Sequence, residues 1–409
     1  MTGGFAARSL PEDPLIRRLV QQARASQLTR RSVLAGTAGG AAALALAACA
    51  PTSQSTPTAP PDVSDSDKTV RWSNWPLYLD EDDDENHPTL DRFQEESGIT
   101  VAYTVDVDDN NTYYGRVKDQ LALGQDIGAD TVCLTDWMVS RMIRFGYTQP
   151  LDAANIPNKA NLNPDLLNVD FDPGRTYSLP WQGGFGGICW EIEKFPNGFT
   201  SVSELWDEPA LKGKLSVLSE MRDTIGLILM EQGVDITGDF TGDDFNAALE
   251  IFKEQVTSGQ IGAVKGNSYI EDLTNGDAVA GIVWSGDVMA INAELGYEKF
   301  GFALPDAGAT LWNDNFLVPI GSPRKKNVEK LIDYYYEPEV AAEVAAWVNY
   351  ITPVKGAQDA MEEFAPELVD NQLIFPDEET LSNAHVFRTL TPAEEQSFGS
   401  AFQSVLLGA

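Results

Sequence analysis

Histidine and cysteine are nearly absent from this chain, with two and three among 409 residues. Zinc spacings and Cys/His dyads both need these residues close together, and neither pattern occurs. His87 and His385 stand alone. Cys133 and Cys189 sit in apolar stretches that read as separate buried strands, although an oxidising compartment would permit them to pair. Basic residues are scarce too: 28 Lys and Arg stand against 62 Asp and Glu, a formal charge of −34. A surface of that sign repels nucleic acid and anionic lipid and concentrates cations. No uncharged apolar run reaches the ~20 residues of a spanning helix. The glycines from Gly183 to Gly187 lack the lysine and the strand-then-helix setting of a phosphate loop, and read as a crossing strand where backbones approach closely. These absences leave no nucleophile, metal centre or cofactor motif, so the expectation is a protein without catalysis, metal or cofactor.

What is present begins with an address. Arg30 and Arg31 precede an uncharged, Ala- and Leu-rich run from Val33 to Ala48, which ends in Leu46, Ala47, Ala48 and Cys49. Charged residues, a short apolar run and a small-residue exit make an export signal. The arginine pair matches the twin-arginine pattern, and the exit resembles the lipobox of bacterial lipoproteins. Residues 1–48 are therefore expected to be a signal peptide and Cys49 a lipidated first residue. The first 48 residues hold six Arg and two acids, so the remainder is more negative still. Residues 49–68, rich in Pro, Ser, Thr and Asp, read as a disordered tether. The expected location is the outer face of the cell membrane.

From residue 69 on, strand and helix patterns alternate. Strands are expected at Val70–Trp72, Thr100–Val105 and Ala129–Leu134, with helices at Pro88–Ser97, along Tyr114, Val117 and Leu121, and at Trp137–Phe145. A second such region places strands at Leu215–Leu218 and Val279–Trp284, with helices at Asp223–Gln232 and behind Asp243 and Asp244. After a strand at Phe316–Pro319 the chain reads as helical at Val328–Tyr336, Pro338–Trp347 and Pro392–Leu406. This order implies an α/β protein with largely parallel sheets.

Ligands of such sheets sit at the carboxyl ends of strands. Those ends carry Asn74-Trp75-Pro76-Leu77-Tyr78, Thr135-Asp136-Trp137, Ser219-Glu220-Met221-Arg222-Asp223 and Trp284-Ser285-Gly286-Asp287, with Leu311-Trp312-Asn313-Asp314 near the return crossing. One aromatic at a strand end is usually core. Four of these five segments carry one and all five hold polar or acidic residues, which together describe a cleft for a long, flexible molecule with amines at its tips. A cation over a ring face gains about 0.5–2 kcal/mol, and a carboxylate forms charge-assisted bonds to an ammonium. The acidic run from Asp80 to Glu85 lacks the glycine turn of a calcium loop and reads as a solvated loop.

The chain resembles the substrate-binding proteins of spermidine/putrescine ABC importers. The likeness runs in order through Asn74 to Tyr78, Phe171 to Pro180, Ser201 to Trp206 with Lys212-Gly213, Ile282 to Gly286, Leu311 to Asp314, Tyr350 to Pro353 and Phe375 to Thr380. It implies a type II periplasmic-binding fold of two doubly wound lobes, with a hinge and a ligand cleft between them. Residues 69–183 and 313–357 would form one lobe, 184–312 and 358–409 the other. By the same resemblance the binding aromatics are Trp75, Tyr78, Trp137, Trp284, Trp312 and Tyr350, the acids Glu220, Asp223 and Asp314, and Thr135 supplies a hydroxyl. The chain departs from the pattern at Pro76, at Phe387, and in the exchanged lengths of Glu220 and Asp223, which bear on which polyamine is held. The implied partners are a polyamine, an importer permease and the membrane, for a monomer. A same-fold binder of an opine, a sugar or a quaternary amine is the alternative, and less so an exported hydrolase or a structural lipoprotein.

Overall fold

The computed structural model describes residues 57–408, so the signal, Cys49 and the front of the tether lie outside the described residues. Ten strands form one sheet: β1 (Thr69–Asn74), β2 (Thr100–Val105), β3 (Thr131–Thr135), β4 (Ser178–Glu191), β5 (Leu215–Leu218), β6 (Ile261–Lys265), β7 (Ala280–Trp284), β8 (Phe300–Ala303), β9 (Ala309–Leu317) and β10 (Ala384–His385). Their order is β2-β1-β3-β9-β4-β7-β5-β6, with β8 beside β4 and β10 beside β9. β1 runs parallel to β2 and β3, and β5 runs parallel to β6 and β7. These are the two parallel sets that the alternation of patterns implied. Between them the long strands β4 and β9 are antiparallel to each other; β9 is antiparallel to β3, and β4 to β7. The sheet is thus two parallel halves joined by two crossing strands.

The longer helices are α1 (Pro88–Ser97), α2 (Asn110–Ala122), α3 (Asp136–Arg144), α4 (Met221–Glu231), α5 (Gly242–Ser258), α6 (Ser285–Leu295), α7 (Lys325–Tyr335), α8 (Pro338–Val348) and α9 (Pro392–Leu406). Helices α3, α4 and α6 start within a few residues of the ends of β3, β5 and β7, so each strand end delivers its side chains beside a helix N-terminus. Asp109 caps α2 by accepting the Thr112 N–H at 2.9 Å. In the first half Trp72 packs its ring against Trp181, Phe316 and Tyr335, at 5.4, 5.3 and 5.6 Å between centroids. In the second, Phe398 and Phe402 of α9 stack on Phe245 and Phe252 of α5, at 4.0 and 5.1 Å. Cys133 and Cys189 are buried and unbridged, in β3 and β4. Among the described residues no helix is long and apolar enough to cross a membrane.

Three details differ from the sequence reading. Strands β6 and β8 went unseen, because Ile261–Lys265 and Phe300–Ala303 are short and glycine-interrupted and are strands only through distant pairing with β5 and β4. The tether is ordered at its end. Asp62 accepts the Lys326 N–H at 3.0 Å, the Val63 N–H donates to Pro323 at 2.8 Å, and Arg324 reaches Asp67 at 2.7 Å. Its acids find a basic partner that composition does not reveal. Finally, Asp80 is buried and accepts the Thr89 N–H at 2.8 Å, so the acidic run opens on a structural residue at the start of α1.

Candidate functional site

A cleft opens where β1, β3, β5 and β7 end. Nine residues expected there line it: Trp75, Tyr78, Thr135, Glu220, Asp223, Trp284, Trp312, Asp314 and Tyr350. Their rings form a chain of near-perpendicular contacts. Trp75 meets Trp284 at 6.2 Å, Trp284 meets Trp312 at 6.3 Å, Trp312 meets Tyr350 at 5.3 Å and Tyr350 meets Tyr78 at 5.5 Å. Because Trp75 follows β1 and Trp284 ends β7, the two halves touch across the cleft. The indole N–H of Trp75 donates to the Cys133 carbonyl at 3.0 Å, which ties the wall to β3. Glycine makes room for these rings. A Cβ at Gly184 would lie 2.7 Å from both Trp312 and Tyr350, and one at Gly286 would lie 2.5 Å from Tyr350. Part of the glycine run therefore accommodates side chains of the wall, beyond the backbone approach expected of it.

Four acids face this wall. Asp314 lies in the middle of β9, not at a strand end, next to a register shift between Asp314 and Asn315. The shift comes from an extra residue in β4, Trp181, between the partners Pro180 and Gln182, and on the β9 side Asn315 donates to Asp136 at 2.7 Å and accepts from the buried Arg175 at 2.9 Å. Asp314 Oδ2 accepts the Tyr78 hydroxyl at 3.0 Å, while Oδ1 is buried without a hydrogen-bond partner. Burial pushes its carboxyl up to about 7, more than its hydrogen bonds offset. Glu220 begins α4 and accepts the Arg222 N–H at 3.3 Å. Burial raises it to about 7 despite the Arg222 guanidinium. Asp223 accepts the Trp284 indole N–H at 2.9 Å and the Thr310 hydroxyl at 2.6 Å, and burial lifts it above the usual carboxylate range.

The fourth acid, Asp287, was not among the expected site residues. It accepts from Tyr269 at 2.6 Å, Asn267 at 2.9 Å and Tyr350 at 2.9 Å, and burial raises it to about 6. A signal existed, an acid three residues past the strand-end Trp284. Asn110, the first residue of α2, and Asn267, in the loop after β6, also line the cleft and gave none; Asn110 donates to Thr135 Oγ1 at 2.8 Å. Trp137 is not brought into the cleft. Its ring carries the guanidinium of Arg222 at 3.9 Å and that of Arg141 at 4.9 Å. Phe387 packs on Phe240 at 5.3 Å and is not part of the lining, whereas Pro76 is. Buried carboxylates are costly unless compensated, and these have hydrogen-bond donors but too few cations. The cleft is built to receive positive charge.

The family model described as bacterial extracellular solute-binding protein matches residues 89–374, which span both halves of the sheet. The chain belongs to that family. It is a family of transport proteins, not of enzymes. Among relatives of this solute-binding protein is the spermidine/putrescine-binding periplasmic protein of Escherichia coli (strain K12), 27% identical over 322 residues that cover 78% of this chain and 86% of the relative. Another is the putrescine-binding periplasmic protein PotF of the same organism, 26% identical over 361 residues, 83% of this chain and 92% of the relative. A solved structure of a spermidine/putrescine ABC transporter protein from Listeria monocytogenes superposes with a TM-score of 0.71 at 24% identity, covering 84% of this chain and 100% of that one. That likeness establishes the type II periplasmic-binding fold.

Proposed function

We propose that this extracellular solute-binding protein captures a polyamine in the aromatic and acidic cleft and delivers it to the membrane permease of an ABC importer. The observation that carries the reading is the charge balance of the site: four buried acids under a continuous wall of rings, with one oxygen of Asp314 unbonded. An ammonium is the donor that such an oxygen lacks, and a carboxylate–ammonium bond is stronger than a neutral one. Trp75, Tyr78, Trp284, Trp312 and Tyr350 would flank the methylenes, Asp314, Asp223, Glu220 and Asp287 would hold the nitrogens, and Thr135 would accept from one of them. The relatives named for spermidine and putrescine support the same class of ligand.

In this reading residues 69–183 and 313–357 are one lobe, 184–312 and 358–409 the other, and β4 and β9 serve as the hinge. A ligand touching Asp314 and Asp223 together favours the closed form by binding it better than the open one. The protein would act as a monomer held near its permease by lipid on Cys49. Calorimetric titration with putrescine, spermidine and spermine tests the function. Heat and a raised melting temperature are expected with at least one amine, and their absence with all three would remove the polyamine reading.

A further inference from the structure

We infer that the side chain of Arg222, stacked in the recess behind Glu220, holds that acid from outside the cleft and thereby makes the protein selective for a short diamine over a longer triamine. The inference rests on the polyamine reading and narrows it.

Arg222 is the second residue of α4, between Glu220 and Asp223, and is buried at 8% exposure. Its guanidinium lies 3.9 Å from the centre of the Trp137 ring, 3.6 Å from Glu220 Oε1 and 3.9 Å from Glu395 Oε1. A ring face with a carboxylate beside it is the chemistry that the cleft offers to a ligand's ammonium. At this end the chain's own cation already has it. Trp137 and Arg222 line a separate recess with Ser219 and Glu395, whereas Glu220 lines the aromatic cleft, so Glu220 stands between the two spaces.

The manner in which Arg222 is held matters. Its Nε is buried without a hydrogen-bond partner, and its two ion pairs are longer than hydrogen bonds. Neighbouring Arg141 and Arg144, by contrast, bond to Glu395 at 2.9 and 2.6 Å. Arg222 is kept by stacking and by the field of the acids, not by a fork of bonds that fixes the scaffold. With Glu220 facing Arg222, the ligand's ammonium groups are left mainly to Asp223, Asp287 and Asp314. A third ammonium would have to share Glu220 with a guanidinium of like charge.

The test is the ratio of dissociation constants for 1,4-diaminobutane and spermidine, measured by calorimetry on the wild type, Arg222→Ala, Arg222→Gln and Arg222→Lys. The wild type is expected to favour the diamine by tenfold or more. Arg222→Ala should shift the ratio at least tenfold towards spermidine. Arg222→Gln keeps the side-chain length and should do the same, which keeps the test decisive if the alanine variant fails to fold. Arg222→Lys, which leaves a cation on Trp137, should retain the diamine preference. A wild type that favours spermidine, or a ratio unchanged in the neutral variants, overturns the inference while leaving the polyamine reading standing. Binding of neither amine to the wild type overturns both.

Discussion

Two buried aspartates in the first half of the sheet have opposite electrostatics. Asp130, just before β3, accepts the Arg71 backbone N–H at 2.9 Å, Arg71 Nε at 3.0 Å and the Ser322 hydroxyl at 2.9 Å, with Arg324 Nη1 at 3.2 Å. Burial alone would raise its carboxyl, but the bonds from Arg71 hold it below the ordinary value. Asp314, paired with Thr135 at the other end of β3, has hydroxyl donors in Thr135 and Tyr78 but no guanidinium, and burial raises it to about 7. The residue type is the same, and both side chains are buried. What differs is whether the fold supplies a guanidinium. Where it does, the acid joins the tether, β1 and α7; where it does not, the acid stays without a cation beside it, which the proposed ligand would supply.

The comparison breaks first if Asp130 proves dispensable. Asp130→Ala leaves guanidinium groups facing an emptied buried site and should cost about 3 kcal/mol of stability in denaturant unfolding, the usual scale for breaking a buried pair. Amine affinity of the folded protein should be unchanged. Asp314→Asn should do the reverse. It should weaken amine binding by roughly 2–3 kcal/mol, while the melting temperature of the ligand-free protein stays equal or rises because an uncompensated buried charge is gone. A fall in stability comparable to that of Asp130→Ala would show both acids to be structural.

Acidity sharpens the contrast. The folded value of Asp130 lies below its ordinary 3.8, so its stabilisation is present above that pH and lost as pH falls through the folded value. For Asp314 the sign inverts. Its contribution to the ligand-free closed form is present below 3.8 and lost as pH rises through about 7. Ammonium ligands favour the ionised acid, so amine affinity should fall by about tenfold or more from pH 8 to pH 6, at ~1.4 kcal/mol per unit. Titrations across that range check it, and Asp314→Asn should flatten the slope. The smallest effect belongs to the recess beside the cleft, where Arg141 and Arg144 of α3 reach Glu395 of α9. Glu395→Gln should weaken binding only a few-fold and reduce its salt dependence, as expected of a partly exposed pair.

Much of the cleft was legible because strand ends in an α/β sheet converge whatever their distance along the chain. Trp75, Thr135, Glu220 and Trp284 could be grouped from the rule for strand ends alone. Asp314 was found by its place near the return crossing, although it lies inside β9, paired with Thr135 on one side and Gln182 on the other. Trp137 misled for a related reason: its position suits a binding aromatic, but what covers its face is Arg222, which arrives from the other half of the sheet.

The chain by itself determined a poverty of His, Cys and basic residues and aromatic and acidic strand ends, because these are properties of composition and of order along one strand. Tertiary structure decided which acids are matched and which are left open. The donors that settle this come from far along the chain, Tyr78 to Asp314 across 236 residues and Tyr350 to Asp287 across 63. The field at a carboxylate is a sum over neighbours in space, and no local pattern contains it.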